Sequence, residues 1–300
     1  MNTVFRREFR GLFQGGTGWF CLIALVFASG VLTTVNNLMS LSSDASRMFP
    51  VLSDLLILIC PLLASFSMGY DAAHGNGRWL RSLPLTRAAV VGGKYLAALA
   101  LIGICGVWFA LFPLLIGIWG NVSYGTAYSA LLGWLLIAAA ALALCFPVVS
   151  RVRNRLLAVV FGVVVCAAVY VLPLLAALIS AFPWVGILFL SLIGAGAAVP
   201  SVLRDVRKRR VPWRGIAVFA PVCAAAVVLF FAAGSFYTVV LPEVLDALSV
   251  FARLDGFRNG HLDLTGIVYL LSVTAVCLTV TVLLPDAGTC RKGAARHDQA

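Results

Sequence analysis

Residues 81–99 read "RSLPLTRAAVVGGKYLAAL", a basic, Pro-punctuated stretch that passes without a boundary into apolar sequence. Pro84 fixes its own φ, restricts Leu83 and disfavours a helix continuing from upstream. Thr86 is placed to cap a new helix at Arg87, which runs on through Lys94. Gly75 and Gly77 supply a turn just before. The tract therefore reads as a chain reversal, then a short helix fused to a hydrophobic one. Its surroundings decide what that hydrophobic helix is buried in.

Those surroundings are apolar almost throughout. Of the 300 residues, 62% are hydrophobic and 11% charged, and the mean hydropathy is +1.04. A soluble domain is about half apolar and a quarter charged, so an all-α, polytopic integral membrane protein is expected. Stretches able to cross about 30 Å of hydrocarbon run Gly18–Leu38, Val51–Tyr70, Tyr95–Trp119, Tyr128–Ser150, Leu156–Ser180, Phe182–Leu203, Ile216–Tyr237 and Gly266–Leu284. The first run is long and seven more follow, so it is read as a span rather than a cleavable signal peptide.

About eight spans put both termini on one side, and the charges say which. The connections holding Arg6, Arg7 and Arg10, then Arg78 to Lys94, Arg151 to Arg155, Arg204 to Arg214 and Arg291 to Arg296 carry 19 of the 22 basic residues. Only Arg47, Arg253 and Arg258 fall on the other side. The positive-inside rule places both termini and the 81–94 elbow in the cytosol, and it accounts for a net charge of +11 without nucleic acid.

The chain divides, as read, into an interfacial helix at 1–17, a five-span core at 18–180 and an extra two-span hairpin at 181–237. An outer amphipathic segment at 238–265, the last span at 266–286 and a cytosolic tail at 287–300 complete it. In "TVFRREFRGLF", Phe5, Phe9, Leu12 and Phe13 recur at helical spacing with Arg6, Arg7 and Arg10 on other faces. "LPEVLDALSVF" repeats the pattern outside, with Leu241, Val244, Leu245, Leu248 and Phe251. The residues alone leave the elbow open between two readings. It is either a rigid lever passing movement from a soluble partner into the membrane, or a plain connection whose charges hold the topology.

The longer tract "ILICPLLASFSMGYDAAHGNGRWLRSLPLTRAAVVGGKYLAAL" resembles the coupling-helix region in permease subunits of type-2 ABC exporters, nearest the gliding-motility and nitrous-oxide-reductase-maturation branch. Gly75, Leu83, Pro84, Thr86, Gly93, Lys94, Tyr95 and Leu96 carry the likeness. "VFRREFRGLF", with Arg7, Glu8 and Phe9, is similar to that family's amino-terminal interfacial helix. "DGFRNGHLDLTGIVYLLS", with Phe257, Gly260, Leu262, Asp263, Leu264, Val268, Tyr269 and Ser272, is similar to the tract before its final span. The three tracts occur in the family's order and cover about a third of the chain. Where the family has two consecutive acids this sequence has Tyr70 and Asp71, and Arg78 stands where it tends to have Glu. The family core has six spans, so residues 182–237 look like an inserted pair.

The resemblance implies a non-catalytic membrane subunit in the cytoplasmic (inner) membrane of a prokaryote. Its partners would be cytosolic ABC ATPase subunits that bind the ATP, a second permease copy or homologue, membrane lipid and a possible extracytoplasmic partner. It assigns Asp71, Arg78, Arg81, Pro84, Thr86, Arg87 and Lys94 to the ATPase-coupling segment, and Arg6, Arg7, Glu8, Phe9 and Arg10 to the interfacial helix. Export of a solute is one expectation. Force transmission to an extracytoplasmic partner and a scaffold or assembly role without an ATPase are the alternatives.

Other chemistry is missing. The lone Gly-Lys pair, Gly93-Lys94, is followed by Tyr95 and has Ala88 where the first glycine of a P-loop would stand. Asp54 is the one carboxylate to weigh for ion coupling, but it lies within one turn of the outer end of its span and reads as an interfacial residue rather than a proton relay. His74, His261 and His297 lack a second ligand at metal spacing. Asp255, Asp263, Arg258 and His261 cluster without a nucleophile motif. The "NVS" sequon at Asn121 decides nothing. Seven of the eight cysteines lie in apolar runs and read as small hydrophobes, with Cys290 alone in the tail. "RDVRKRRVPWRG", at Arg204 to Gly215, is read as topology-setting charge beside anionic lipid, or else as an added docking surface. The runs "AAAALALC" and "GAGAAVP" suit close helix packing, within one subunit before a dimer.

Overall fold

The computed structural model describes residues 2–40, 44–73, 86–118, 121–152, 154–182, 184–186, 188–189, 191, 239–259 and 263–283. Every regular element among them is helical. In chain order these are α1 (Asn2–Gln14), α2 (Thr17–Thr33), α3 (Met48–Ala73), α4 (Arg87–Phe109), α5 (Leu111–Gly117), α6 (Tyr124–Val149), α7 (Arg155–Ala181), α8 (Leu241–Leu248), α9 (Leu254–Arg258) and α10 (Leu264–Leu283). In hydrocarbon a backbone must satisfy its own hydrogen bonds, which is why long apolar runs become helices.

Among the described residues, six segments are long and apolar enough to cross a membrane: Thr17–Asn37, Ala45–Met68, Arg87–Gly117, Tyr124–Val149, Arg155–Ala181 and Leu264–Leu283. They coincide with six of the eight spans expected from sequence. The other two, at Phe182–Leu203 and Ile216–Tyr237, lie mostly or wholly outside the described residues, as do the Arg204–Arg214 cluster and the tail.

Local chemistry sets the boundaries. Gly16, at φ 75°, supplies the left-handed turn that swings α1 away from α2. Asp44 caps the 3₁₀ turn Ala45–Arg47 by accepting from the Ser46 amide at 3.0 Å and its hydroxyl at 2.7 Å. The third apolar segment breaks at Ala110, because a proline at 113 crowds the carbonyl four residues earlier, at Phe109.

The described chain forms two compact units, residues 1–168 with 253–300, and residues 169–252. In the first, α6 is the hub, packed against α3, α10, α4 and α9. Of the apolar windows, 61% is buried in α3 and in α6, against 17% in α10, so the first two form the core and α10 keeps an open apolar face. The Ala-rich run lies inward in α6: Ala138, Ala140, Ala141, Leu142, Ala143 and Cys145 are all buried within this one chain. Pro61 of α3 approaches Gly162 of α7 so closely that a Cβ there would sit 2.8 Å from the proline. Cys145 and Cys166, both buried, bring their Sγ atoms to 3.3 Å between α6 and α7.

In the second unit, Leu241 and Leu245 of α8 pack on Ala176 and Ile179. The amphipathic segment expected here does form a helix, but a shorter one than its hydrophobic pattern implies. It ends at Leu248, and Ser249 turns extended and receives the Ala252 amide on its hydroxyl at 3.2 Å. Phe251 then enters a 3₁₀ turn and meets the Tyr170 ring at 5.6 Å. Val244 and Leu248 are exposed, so the five apolar residues do not share one buried face.

Candidate functional site

The stretch of α4 just past the elbow is fastened to three neighbouring helices within one turn. Thr86 has extended geometry (φ −68°, ψ 146°), and its hydroxyl accepts the Ala89 amide at 3.3 Å, capping α4. From that cap the helix runs unbroken into the membrane-crossing segment, which makes residues 87–94 mechanically continuous with it.

Three consecutive residues then bind three different neighbours. Gly93 lies under Val4 of α1, so close that a Cβ would come within 3.0 Å of the valine Cγ1. Lys94 turns inward: its Nζ stands 3.6 Å from Glu8 Oε1 of α1 and donates to the Ser67 carbonyl of α3. The Lys94 side chain is 4% exposed and that of Glu8 10%, so the ion pair is shielded from water. Arg7 donates to the same Glu8 oxygen. Tyr95 donates its hydroxyl to the Ala139 carbonyl of α6 at 3.0 Å and packs edge-on against Phe146. In this way "GKY" ties α4 to α1, α3 and α6 in one helical turn.

The neighbouring turn of α3 extends the joint. Phe66 fits against Gly15, where any Cβ would collide with the ring, and the Arg155 guanidinium of α7 lies over the same ring at 4.5 Å. Of the residues expected at the coupling segment, Thr86, Arg87 and Lys94 are placed. Thr86 and Arg87 are exposed at the head of α4, whereas Lys94 faces the interior. Asp71 lies in the last turn of α3; Arg78, Arg81 and Pro84 lie outside the described residues. Of the interfacial set, Arg6, Arg7 and Arg10 are exposed, and Glu8 and Phe9 are partly buried.

A second joint ties residues 253–258 to α6 and α10. Ser129 of α6 donates to the Phe257 carbonyl at 2.8 Å, and the buried Phe257 ring presses on Gly133, where a Cβ would approach to 2.7 Å. Arg258 pairs with Asp255 at 3.1 Å, and the Arg253 guanidinium lies 5.2 Å over the Tyr269 ring. Asp263 caps α10 through the Thr265 amide at 3.1 Å. Asp255 and Asp263 thus have structural duties, and His261 lies outside the described residues.

Sequence reasoning singled out Glu8 and Lys94 separately and did not join them. The available signal was charge in the wrong place: a lysine eight residues into an apolar helix, and a single acid in a basic amphipathic one. Ser129 and Gly133 carried no signal, since small residues are common in membrane helices.

An all-helical bundle with several segments long and apolar enough to cross a membrane, a basic amphipathic helix clamped beside a capped elbow helix, and no strand among the described residues defines the class as a polytopic membrane protein. The family model for the ABC-2 family transporter protein matches residues 14–202, more than half of the chain, and the chain belongs to that family. It is accordingly a multi-pass permease subunit of an ABC transporter, and membership implies an ABC ATPase partner and dimerisation. No curated protein and no solved structure matches it significantly.

Proposed function

We propose that this permease couples ATP hydrolysis by separate cytosolic ATPase subunits to export across the cytoplasmic membrane of a prokaryote, with the elbow at residues 71–94 as the ATPase contact. The observation that carries this reading is the continuity of α4 from its Thr86 cap into the membrane, combined with the Gly93-Lys94-Tyr95 joint. A push on the head of α4 cannot be absorbed by a hinge there; it must move α1, α3 and α6 as well. The excess of basic residues on the elbow side supports a cytosolic elbow and cytosolic termini. ATP, held by the partner, favours one arrangement of the spans by binding it more tightly, and hydrolysis releases it. Two copies, or this chain with a homologue, form the membrane path.

The experiment is co-purification with the separately encoded ATPase, followed by ATPase assays on Pro84→Ala with Arg87→Glu. Loss of stimulated ATPase activity with the complex still assembled is expected. Unchanged coupling removes the elbow from the mechanism.

The joint at Ser129, Gly133 and Phe257 favours a second reading, in which motion of α6 is passed to an extracytoplasmic partner without solute movement. A transport assay in proteoliposomes separates the two readings.

A further inference from the structure

We propose that the basic face of α1 is a binding site for the headgroup of an anionic phospholipid. Thr3, Arg6, Arg7, Arg10 and Gln14 line one groove of about 460 Å³. Their spacing places them on one side of the helix. The opposite side is fixed to the protein by Val4, under Gly93, and by the buried Leu12. The groove therefore opens away from the bundle.

Charge in this groove is in excess. Glu8 is the single acid in residues 1–17, and it is already engaged by Arg7 and by the buried Lys94. Arg6 and Arg10 form no ion pair among the described residues, so two guanidiniums with their donor forks remain for an external anion. Thr3 and Gln14 add a hydroxyl and an amide at the two ends of the groove.

Depth is set by a second feature of the same helix. Phe5, Phe9, Phe13 and Trp19 form a continuous ring ladder with centroid separations of 5.7, 5.1 and 5.3 Å. Trp19 is exposed at the head of α2. A Trp settles at the headgroup level of a bilayer, and the Phe face of an amphipathic helix buries into the boundary just beneath it. The arginines beside them then lie where phosphodiesters are, not in bulk water. A zwitterionic headgroup would bring its own cation into the field of the arginines; a net-anionic one would not. That contrast selects the anionic class.

The test uses the full-length protein in nanodiscs of mixed phosphatidylglycerol and phosphatidylcholine, with a photo-crosslinkable phosphatidylglycerol as probe. Crosslinks are expected within residues 2–14. They should fall roughly 25-fold in Arg6→Gln with Arg10→Gln, at about fivefold per surface charge. Arg6→Lys with Arg10→Lys should retain most of the labelling. Both positions are exposed, so the thermal midpoint, recorded in parallel, should not change. Equal labelling of the glutamine variant, labelling confined to other segments, or displacement of the lipid by inorganic phosphate alone would each overturn the proposal. The last result would reveal a site for a free anion, and equal labelling by a phosphatidylcholine probe would refute selectivity.

Discussion

Lys94 and Glu8 face each other across the boundary between α4 and α1, Nζ to Oε1 at 3.6 Å, with both side chains almost closed to solvent. A buried pair of this kind contributes little net stability, because desolvation cancels most of the attraction, yet removing one partner strands the other. Lys94→Met is therefore expected to destabilise by about 3 kcal/mol, and Glu8→Gln by somewhat less, since Lys94 keeps the Ser67 carbonyl. The double variant Glu8→Gln with Lys94→Met should be more stable than the Lys94→Met single. Thermal unfolding in detergent, analysed as a double-mutant cycle, measures this directly. Additive losses would mean the two groups do not interact.

The head of α4 offers a milder perturbation. Thr86→Ala removes the acceptor for the Ala89 amide and should cost about 1 kcal/mol of helix stability, whereas Thr86→Ser should cost little. Hydrogen exchange resolved to residues 87–91 is the appropriate readout, because fraying there need not shift global unfolding. Faster exchange confined to that turn is expected. If exchange in the alanine variant matches wild type, the cap is not what holds the first turn.

These two sites differ in how far they could be read from sequence. Thr86 followed by Arg87, two residues after Pro84, announces a helix start through local chemistry, and the structure puts it there. Hydropathy over about 20 residues finds a span for the same reason, since each segment meets the lipid requirement alone. The Lys94–Glu8 pair is another matter. Its members are 86 residues apart by number, and nothing local to either records that α1 folds back on α4. Leu241 to Phe251 differ for a local reason: the apolar spacing is helical throughout, but Ser249 competes for the backbone and ends the helix early.

Gly133 tests the joint between α6 and Phe257. Any side chain there collides with Phe257, whose ring atoms would lie 2.7–2.8 Å from the new Cβ. Gly133→Ala should destabilise by about 1–3 kcal/mol as an overpacked contact. Adding Phe257→Leu should recover part of that loss, because a smaller residue opens the space. Phe257→Leu alone should be destabilising, since the ring is fully buried. The sign of the coupling between the two changes, read from thermal midpoints, is the check. Losses that simply sum would place Phe257 elsewhere.

Cys145 and Cys166 report on the packing of α6 against α7. With Sγ atoms 3.3 Å apart and both side chains buried, a membrane-permeant oxidant should join them within one chain. The two thiols lose two electrons and two protons to the oxidant and gain one S–S bond. Cys60 and Cys277 lie in other helices, α3 and α10, and serve as controls in the same chain. Peptide mapping after treatment with diamide should find the 145–166 link, and Cys166→Ser should abolish it. Reagents confined to water should label neither thiol, because both side chains are fully buried. If diamide instead joins Cys145 to Cys60 or Cys277, α7 does not lie against α6 as described. If linking does occur and also abolishes ATPase stimulation in the assembled complex, relative movement of α6 and α7 is part of the working cycle.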